Sequence, residues 1–284
     1  TGFVPFIRNM GGSIFAMTAM IAGFLTNIFL DSVFVPKWGM AGAAWATVIG
    51  QAVTMLEAVA FFLKKKAVLS LPPFSAIPEF FGSVSKVAVA PFGLTISPTL
   101  TIILMNRFLL LYGNEQDMAA YSCISYVVCI AYLLLQGVGD GSQPLISKHY
   151  GETNINSAKA VRRLAHETAF AITVVCMVAL FLMRNSVGLL FGASPNASQE
   201  VAVYLPLFLV AMLFVSYVRV TTSYFYATEK TGLSYALVFA EPGFQLVLFL
   251  LLPLGLDLLG VWLTVPLAQV LAWVVSFCAK CSVD

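Results

Sequence analysis

The sequence predicts an all-α integral membrane protein, a polytopic helical bundle with eight transmembrane helices out of a larger set of about twelve. Three observations predict it. First, 60% of the 284 residues are hydrophobic, 10% are charged, and the mean hydropathy is +0.92. A soluble domain carries about 25% charged residues. Second, stretches of the roughly 20 apolar residues that a bilayer-spanning helix needs recur eight times along the chain. Third, the first two stretches return as the last two. Asn27, Gly42 and Gln51 correspond, 218 residues later, to Gln245, Gly260 and Gln269. Six segments separate the copies, so the repeating unit is six segments long. Segments three to eight form one complete unit, and the opening two form the tail of a preceding one. The chain is therefore expected to be a fragment lacking about the first four helices, which agrees with a start at Thr1 rather than Met. The expected domains are residues 1–66, the last two helices of an N-terminal lobe; 67–86, a cytoplasmic linker between lobes; and 87–284, a complete six-helix C-terminal lobe.

The first span, 12–35, carries Asn27 and Asp31 four residues apart. They share one helix face about 6 Å apart along the axis. The second span, 40–63, carries Thr47, Gln51 and Thr54 at i, i+4 and i+7, a polar stripe that must face protein or water. Gly42, Ala46 and Gly50, at four-residue spacing on the same helix, let two backbones approach closely. Glu57 is expected to reach the cytoplasmic interface. Spans follow at 87–112, 118–147 and 164–183. The fourth contains Gly137-Val138-Gly139-Asp140, where glycines are expected to break the helix before Gln143-Pro144. The sixth span, 201–226, holds Arg219. The seventh, 232–256, holds Glu241 and Gln245, with Pro242 placed to kink it. The eighth covers 258–278. Continuous apolar runs such as Leu246 to Leu252 exclude a β-barrel, whose strands alternate.

Short cytoplasmic loops collect Lys and Arg. Arg8, Lys64, Lys65, Lys66, Lys86, Lys148, Lys159, Arg162, Arg163, Lys230 and Lys280 all fall on one set of alternate connections, and only Lys37 falls on the other. Both termini are therefore expected to be cytoplasmic. Arg107 and Arg184 lie near outer ends and can snorkel there. The net charge of +2 and the absence of any basic run beyond the loop lysines give no sign of nucleic acid.

Five cysteines, three of them inside spans, read as small buried hydrophobes rather than a disulfide framework. Cys278 and Cys281 form a C-x-x-C without the further ligands that zinc needs. Neither His149 nor His166 has ligand partners at metal spacing. Gly137-Val138-Gly139-Asp140 also matches the motif of intramembrane aspartyl proteases. Such an enzyme needs a second aspartate facing the first, and Asp31 is expected near the opposite surface. No enzymatic activity and no cofactor are expected.

Two polar constellations remain inside the spans. Asp31 and Thr47 each lie about 6 to 11 Å from the outer ends of their helices, counted by rise per residue. Their oxygens and that of Asn27 suit a hard cation such as sodium, and a carboxylate in apolar surroundings can instead take up a proton. The alternative is that Asp31 caps its helix at the outer interface. Arg219 and Glu241 lie about 10 and 14 Å deep from their cytoplasmic ends, levels that permit an ion pair across the bundle, with Gln245 on the same helix as Glu241. The pair either fixes helix register or gates the lobe.

Three stretches resemble the MATE family, the multidrug and toxic compound extrusion transporters. Asn27-Ile28-Phe29-Leu30-Asp31, followed by Gly39-Met40-Ala41-Gly42-Ala43-Ala44-Trp45-Ala46-Thr47, is similar to the family's fifth and sixth helices. Gly139-Asp140-Gly141-Ser142-Gln143-Pro144-Leu145-Ile146-Ser147, running on to Tyr150-Gly151, resembles the link after the eighth. Leu259-Gly260-Val261-Trp262 resembles the start of the twelfth. The resemblance implies two six-helix lobes around a central cavity, in a plasma-membrane (bacterial inner-membrane) antiporter driven by sodium or protons. It matches Asn27, Asp31 and Thr47 to the family's first-lobe cation site, whose fourth member, on the first helix, lies outside this chain. Arg219 inside a span departs from the family pattern. The implied partners are the lipid bilayer and small amphipathic organic substrates, a class that includes cationic ones, with a monomer expected at full length. The rival with a similar architecture is a flippase for lipids or lipid-linked oligosaccharides.

Overall fold

The structure, a computed structural model, describes residues 2–66, 73, 75 and 77–283. All its regular elements are helices: α1 (Val4–Asn9), α2 (Ser13–Trp38), α3 (Met40–Lys64), α4 (Ile77–Tyr112), α5 (Glu115–Gly151), α6 (Ile155–Leu190), α7 (Pro195–Ala227) and α8 (Thr231–Cys281). The seven from α2 to α8 are long and apolar enough to cross a membrane. Helices are the natural choice in lipid, because each satisfies its own backbone hydrogen bonds. The chain divides into two compact units, Thr1–Ile77 and Pro78–Asp284.

Unit 1 is a hairpin of α2 and α3 with the short α1 beneath one end. Val4 and Ile7 of α1 join Ala16, Ala58 and Phe61 in a small apolar cluster, where the Phe15 and Phe61 rings lie 5.1 Å apart. The turn is made by Gly39 at φ 56° and ψ −132°, a conformation that suits a residue without a Cβ. Midway along the hairpin Gly23 and Gly50 meet backbone to backbone. A Cβ added to either would stand 2.7 Å from the other's carbonyl oxygen. Here the small-residue spacing read from the sequence does what it predicts, bringing two helix backbones into contact.

Unit 2 contains α4 to α8. Helix starts are set by side chains that occupy the otherwise free N–H groups. Asn114 accepts from Gln116 N (2.8 Å) and Asp117 N (3.3 Å), while Asp117 Oδ2 accepts from Asn114 N at 2.9 Å. Asn154 and Ser194 cap α6 and α7 in the same manner. The main core gathers Tyr121, Ile124, Leu205, Phe208, Phe249 and Trp262. Trp262 is fully buried and stacks on Tyr204 at 4.2 Å.

At 51 residues, α8 would be about 76 Å long if straight, more than twice the hydrocarbon thickness. It reverses at Asp257, whose φ of 47° and ψ of −132° depart from helical values. Gln269 accordingly reaches Glu241, 28 residues away. Residues 231–256 and 258–281 are thus two antiparallel arms and supply the last two of the eight spans. Asp257 lies 218 residues after Gly39, so the internal repeat extends to the turn conformation. It also extends to packing. A Cβ on Gly42 would overlap the Phe34 carbonyl, and one on Gly260 would stand 2.5 Å from the Leu252 oxygen, the equivalent contact.

Three expectations change. The glycines at 137, 139 and 141 do not break α5, which is helical from Glu115 to Gly151 and through Pro144. Membrane helices tolerate such residues where neighbours pack against them, and at Gly139 the missing Cβ makes room for Ser223. Second, α4 begins at Ile77, inside the stretch expected to link the lobes. Pro78 and Glu79 sit in its first turn, where a missing N–H and a negative charge are both favourable. Residues 67–72, 74 and 76 of that stretch lie outside the described residues. Third, α6 is longer than the span 164–183 at both ends. Its first turns carry Lys159, Arg162 and Arg163, a polar extension beyond the apolar segment.

Candidate functional site

In unit 1, a hollow of about 200 Å³ is lined by Gly23, Asn27, Thr47, Gly50, Gln51 and Thr54, with Met20 and Phe24 as apolar walls. The hairpin positions these groups. Gly50 packs on Asn27, and Thr54 Oγ1 donates across the hairpin to the Ala19 carbonyl at 3.4 Å. Asn27 and Thr47 thus share one hollow. Asp31 is not part of its lining. In a register that sets Phe34 beside Gly42 and Asn27 beside Gly50, Asp31 falls level with Trp45 and Ala46. Asp31 Oδ1 and Asn27 Nδ2 are both buried without a hydrogen-bond partner. Thr47 is exposed, and its hydroxyl donates to its own helix at Ala43 O (3.0 Å). Asp31 does not cap its helix, because α2 continues for seven residues to Trp38.

In unit 2, a cavity of about 400 Å³ opens among α4, α5, α7 and α8. Its walls are mostly apolar and aromatic, with Pro91, Pro98, Tyr121, Tyr132, Leu133 and Phe208 among them, and its polar groups are few. One set lies on α5 and α7. Arg219, only 6% exposed, donates from Nη1 to Gln136 Oε1 at 3.5 Å. Gln136 Nε2 donates to Asp140 Oδ1 at 2.8 Å, and the Tyr226 hydroxyl reaches the same oxygen at 3.4 Å. The other set lies on α8 and α4. Glu241 Oε1 accepts from Gln269 Nε2 at 2.6 Å and from Gln245 Nε2 at 3.3 Å, and Thr101 Oγ1 donates to Gln245 Oε1 at 2.7 Å. Gln245 and Gln269 are fully or almost fully buried.

The ion pair between Arg219 and Glu241 that their depths permit does not form. Both side chains line the cavity, yet among the described residues no nitrogen of Arg219 lies within 4.0 Å of a carboxylate oxygen. Each is bonded to a carboxamide instead. Axial depth fixes the level of two residues in a bundle but not their rotation about the helix axis. Asp140, read from the sequence as part of a helix break, is a cavity residue. Its signal was the i, i+4 spacing from Gln136. Gln269 could have been placed beside Glu241 from the repeat, since position 241 corresponds to Gly23 and 269 to Gln51. Among the described residues no three His, Cys, Asp or Glu side chains converge as metal ligands, and Cys278 and Cys281 are free thiols.

The chain is similar to several known proteins. The multidrug export protein MepA of Staphylococcus aureus (strain bovine RF122 / ET3-1) is 28% identical over 204 residues, 70% of this chain and 45% of MepA. MepA of Staphylococcus saprophyticus is 28% identical over 180 residues, 62% of this chain and 40% of that protein. The chain therefore spans less than half the length of these relatives. Among solved structures, the Vibrio cholerae MATE transporter VcmN superposes with a TM-score of 0.88 at 16% identity, covering 98% of this chain and 64% of that one. A MOP superfamily transporter from Pyrococcus furiosus superposes at 0.87 with 20% identity, covering 97% and 64%. At such identities these likenesses establish a shared fold. The MatE family model matches residues 81–251, which is most of α4 to α7 and the first arm of α8. By that match the chain belongs to the MatE family.

Proposed function

We propose that the protein containing this chain is a secondary-active exporter that moves small amphipathic organic molecules, cationic ones among them, out across the plasma membrane (the bacterial inner membrane) in exchange for sodium or protons. The observation that carries this reading is the second-unit cavity. Its volume of about 400 Å³ lies within the range of small-molecule sites, and apolar walls with a few placed polar groups are the usual design of such sites. The relatives named above as multidrug export proteins support the same reading, and the transporter character of those relatives speaks against an enzyme. Asp140 shares its cavity with Glu241 and Arg219 rather than with a second aspartate among the described residues, which speaks against an aspartyl protease.

Ion coupling is assigned to Asn27, Asp31 and Thr47. Asp31 Oδ1 and Asn27 Nδ2 lack partners although buried; the carboxylate oxygen calls for a proton, a cation or water, and the amide N–H group calls for an acceptor such as water. Arg219, Glu241 and Gln245 act in the second unit, where they tune or gate substrate binding. The lysine and arginine distribution supports cytoplasmic termini. A flippase for lipid phosphates would be served by a strongly cationic cavity. Here one guanidinium stands against two carboxylates, which favours the exporter.

The test is dye efflux from proteoliposomes holding the full-length protein, with sodium and proton gradients imposed separately. Efflux should follow one gradient, and Asp31→Asn should abolish the gradient dependence. Equal gradient-driven efflux by wild type and Asp31→Asn would remove Asp31 from the coupling role.

A further inference from the structure

Unit 2 has a second hollow, on the face where α6 and α7 pack together. It holds about 250 Å³, and every side chain around it is apolar, with Met177, Phe181 and Leu182 from α6 and Pro206, Leu209 and Val210 from α7. Leu209 is buried, whereas Leu182 and Val210 are 76% and 54% exposed, so the hollow has a packed floor and open lips. Water would find no hydrogen-bond partner inside it. It is separate from the larger cavity, to which α6 contributes no side chain. Phe208 lines that cavity and its neighbour Leu209 lines the hollow, so α7 is a wall between them.

Arg184 stands three residues beyond Phe181 on the same face of α6. It is half-buried, and its guanidinium carbon lies 4.3 Å from the centre of the Phe181 ring. Phe181 therefore belongs both to the hollow and to the seat of the charge. Among the described residues Arg184 makes no ion pair or hydrogen bond. The apolar span 164–183 ends one residue before it, which puts Arg184 where hydrocarbon gives way to headgroups. A guanidinium offers five N–H donors in a planar fork that matches phosphate oxygens. An apolar helix of another protein would fill the hollow and leave this fork unanswered. A phospholipid brings a hydrocarbon chain and a phosphate in the order that the site presents them.

We propose that the hollow between α6 and α7, together with Arg184, binds an anionic phospholipid, with one acyl chain against Phe181 and Val210 and the headgroup phosphate on Arg184. The site prefers a lipid of net negative charge, because no carboxylate beside Arg184 would hold the ammonium of a zwitterionic headgroup. The inference does not depend on what the larger cavity carries.

The test uses the full-length protein carrying Phe181→Trp, which keeps an aromatic wall beside Arg184 and adds a fluorescent reporter. It is reconstituted in dioleoylphosphatidylcholine, and the emission of the parent protein in the same lipid is subtracted. Lipids whose acyl chains are dibrominated, and so quench the reporter, then replace part of the bilayer. Brominated phosphatidylglycerol should reach half-quenching at about one-fifth of the mole fraction that brominated phosphatidylcholine needs, the effect of one basic side chain near a bilayer surface. Adding Arg184→Gln should bring the two curves together. Arg107→Gln removes an exposed arginine outside the hollow and should leave them apart. Val210→Phe fills the hollow from its lipid side and should weaken quenching by both lipids. Inorganic phosphate in the buffer should leave the phosphatidylglycerol curve in place. Coincident curves with Arg184 intact would overturn the proposal, as would a preference that survives Arg184→Gln. An equal loss with Arg107→Gln would overturn it in favour of general surface charge. Unchanged quenching with Val210→Phe would remove the chain from the hollow, and displacement by phosphate would give Arg184 to a soluble anion instead of a lipid.

Discussion

Glu241 shows how the second unit holds a carboxylate within a membrane helix bundle. Its Oε1 accepts from Gln269 and Gln245, and Thr101 fixes Gln245 in turn. Gln269→Leu removes the shortest of these bonds from a half-buried charge. It should lower the stability of the full-length protein by about 1–3 kcal/mol, the range for a buried charged group losing a partner. Thermal unfolding in detergent measures it, and Gln269→Leu within experimental error of wild type would show that the bond carries no net stability. Much of this chemistry was visible in the sequence. The i, i+4 spacings of Asn27 with Asp31 and of Glu241 with Gln245 marked two polar faces, because helical periodicity is a local property. Asp140 was hidden because its glycines resemble a helix break, and whether a glycine breaks a helix depends on what packs against it. The absent Arg219–Glu241 pair was beyond reach for a related reason. Rotation about each helix axis is set by neighbours that the sequence alone does not place.

At the scale of elements, the two hairpins are variations on one design. Gly39 and Asp257 turn the chain at nearly the same dihedrals, φ 56° and 47° with ψ −132° in both. A residue with a Cβ is strained there, at about 1–3 kcal/mol. The two positions should therefore respond with opposite signs. Asp257→Gly is expected to raise the unfolding temperature of the full-length protein, and Gly39→Ala to lower it. Both single variants, compared by thermal unfolding in detergent, provide the check, and a destabilised Asp257→Gly would show that the aspartate makes a compensating contact. Between the turns the copies have diverged in use. Gly23 meets Gly50 at a backbone contact in the first hairpin, whereas Glu241 occupies the equivalent position in the second and lines a cavity. Segment boundaries followed from apolar length for five of the eight spans, and α7 starts six residues before the expected 201. The start of α4 and the ends of α6 did not, because helices continue past the bilayer wherever capping and charge permit, as Asn154 and the basic first turns of α6 show.

Across the whole molecule, the lysine and arginine pattern makes a claim about sides that helix packing leaves open. Apolar length and internal hydrogen bonding determine that the helices span, while loop charge determines which way they point. Lys280 stands between Cys278 and Cys281 at the end of α8, and both thiols are exposed. If the charge pattern governs, these thiols face the cytoplasm. Cys123 is buried and Cys176 half-buried in the core of unit 2, while Cys129, exposed in mid-helix, lines the cavity of that unit and is replaced by Ser for the experiment. A membrane-impermeant maleimide added to inside-out vesicles should therefore label Cys278 and Cys281. In right-side-out vesicles it should label neither, and replacing both with Ser should remove the signal attributable to this chain. Labelling from the outer face would invert every assignment of depth. Asp31 would then lie near the cytoplasmic surface, and ion release rather than ion capture would take place there on the inward-driven path.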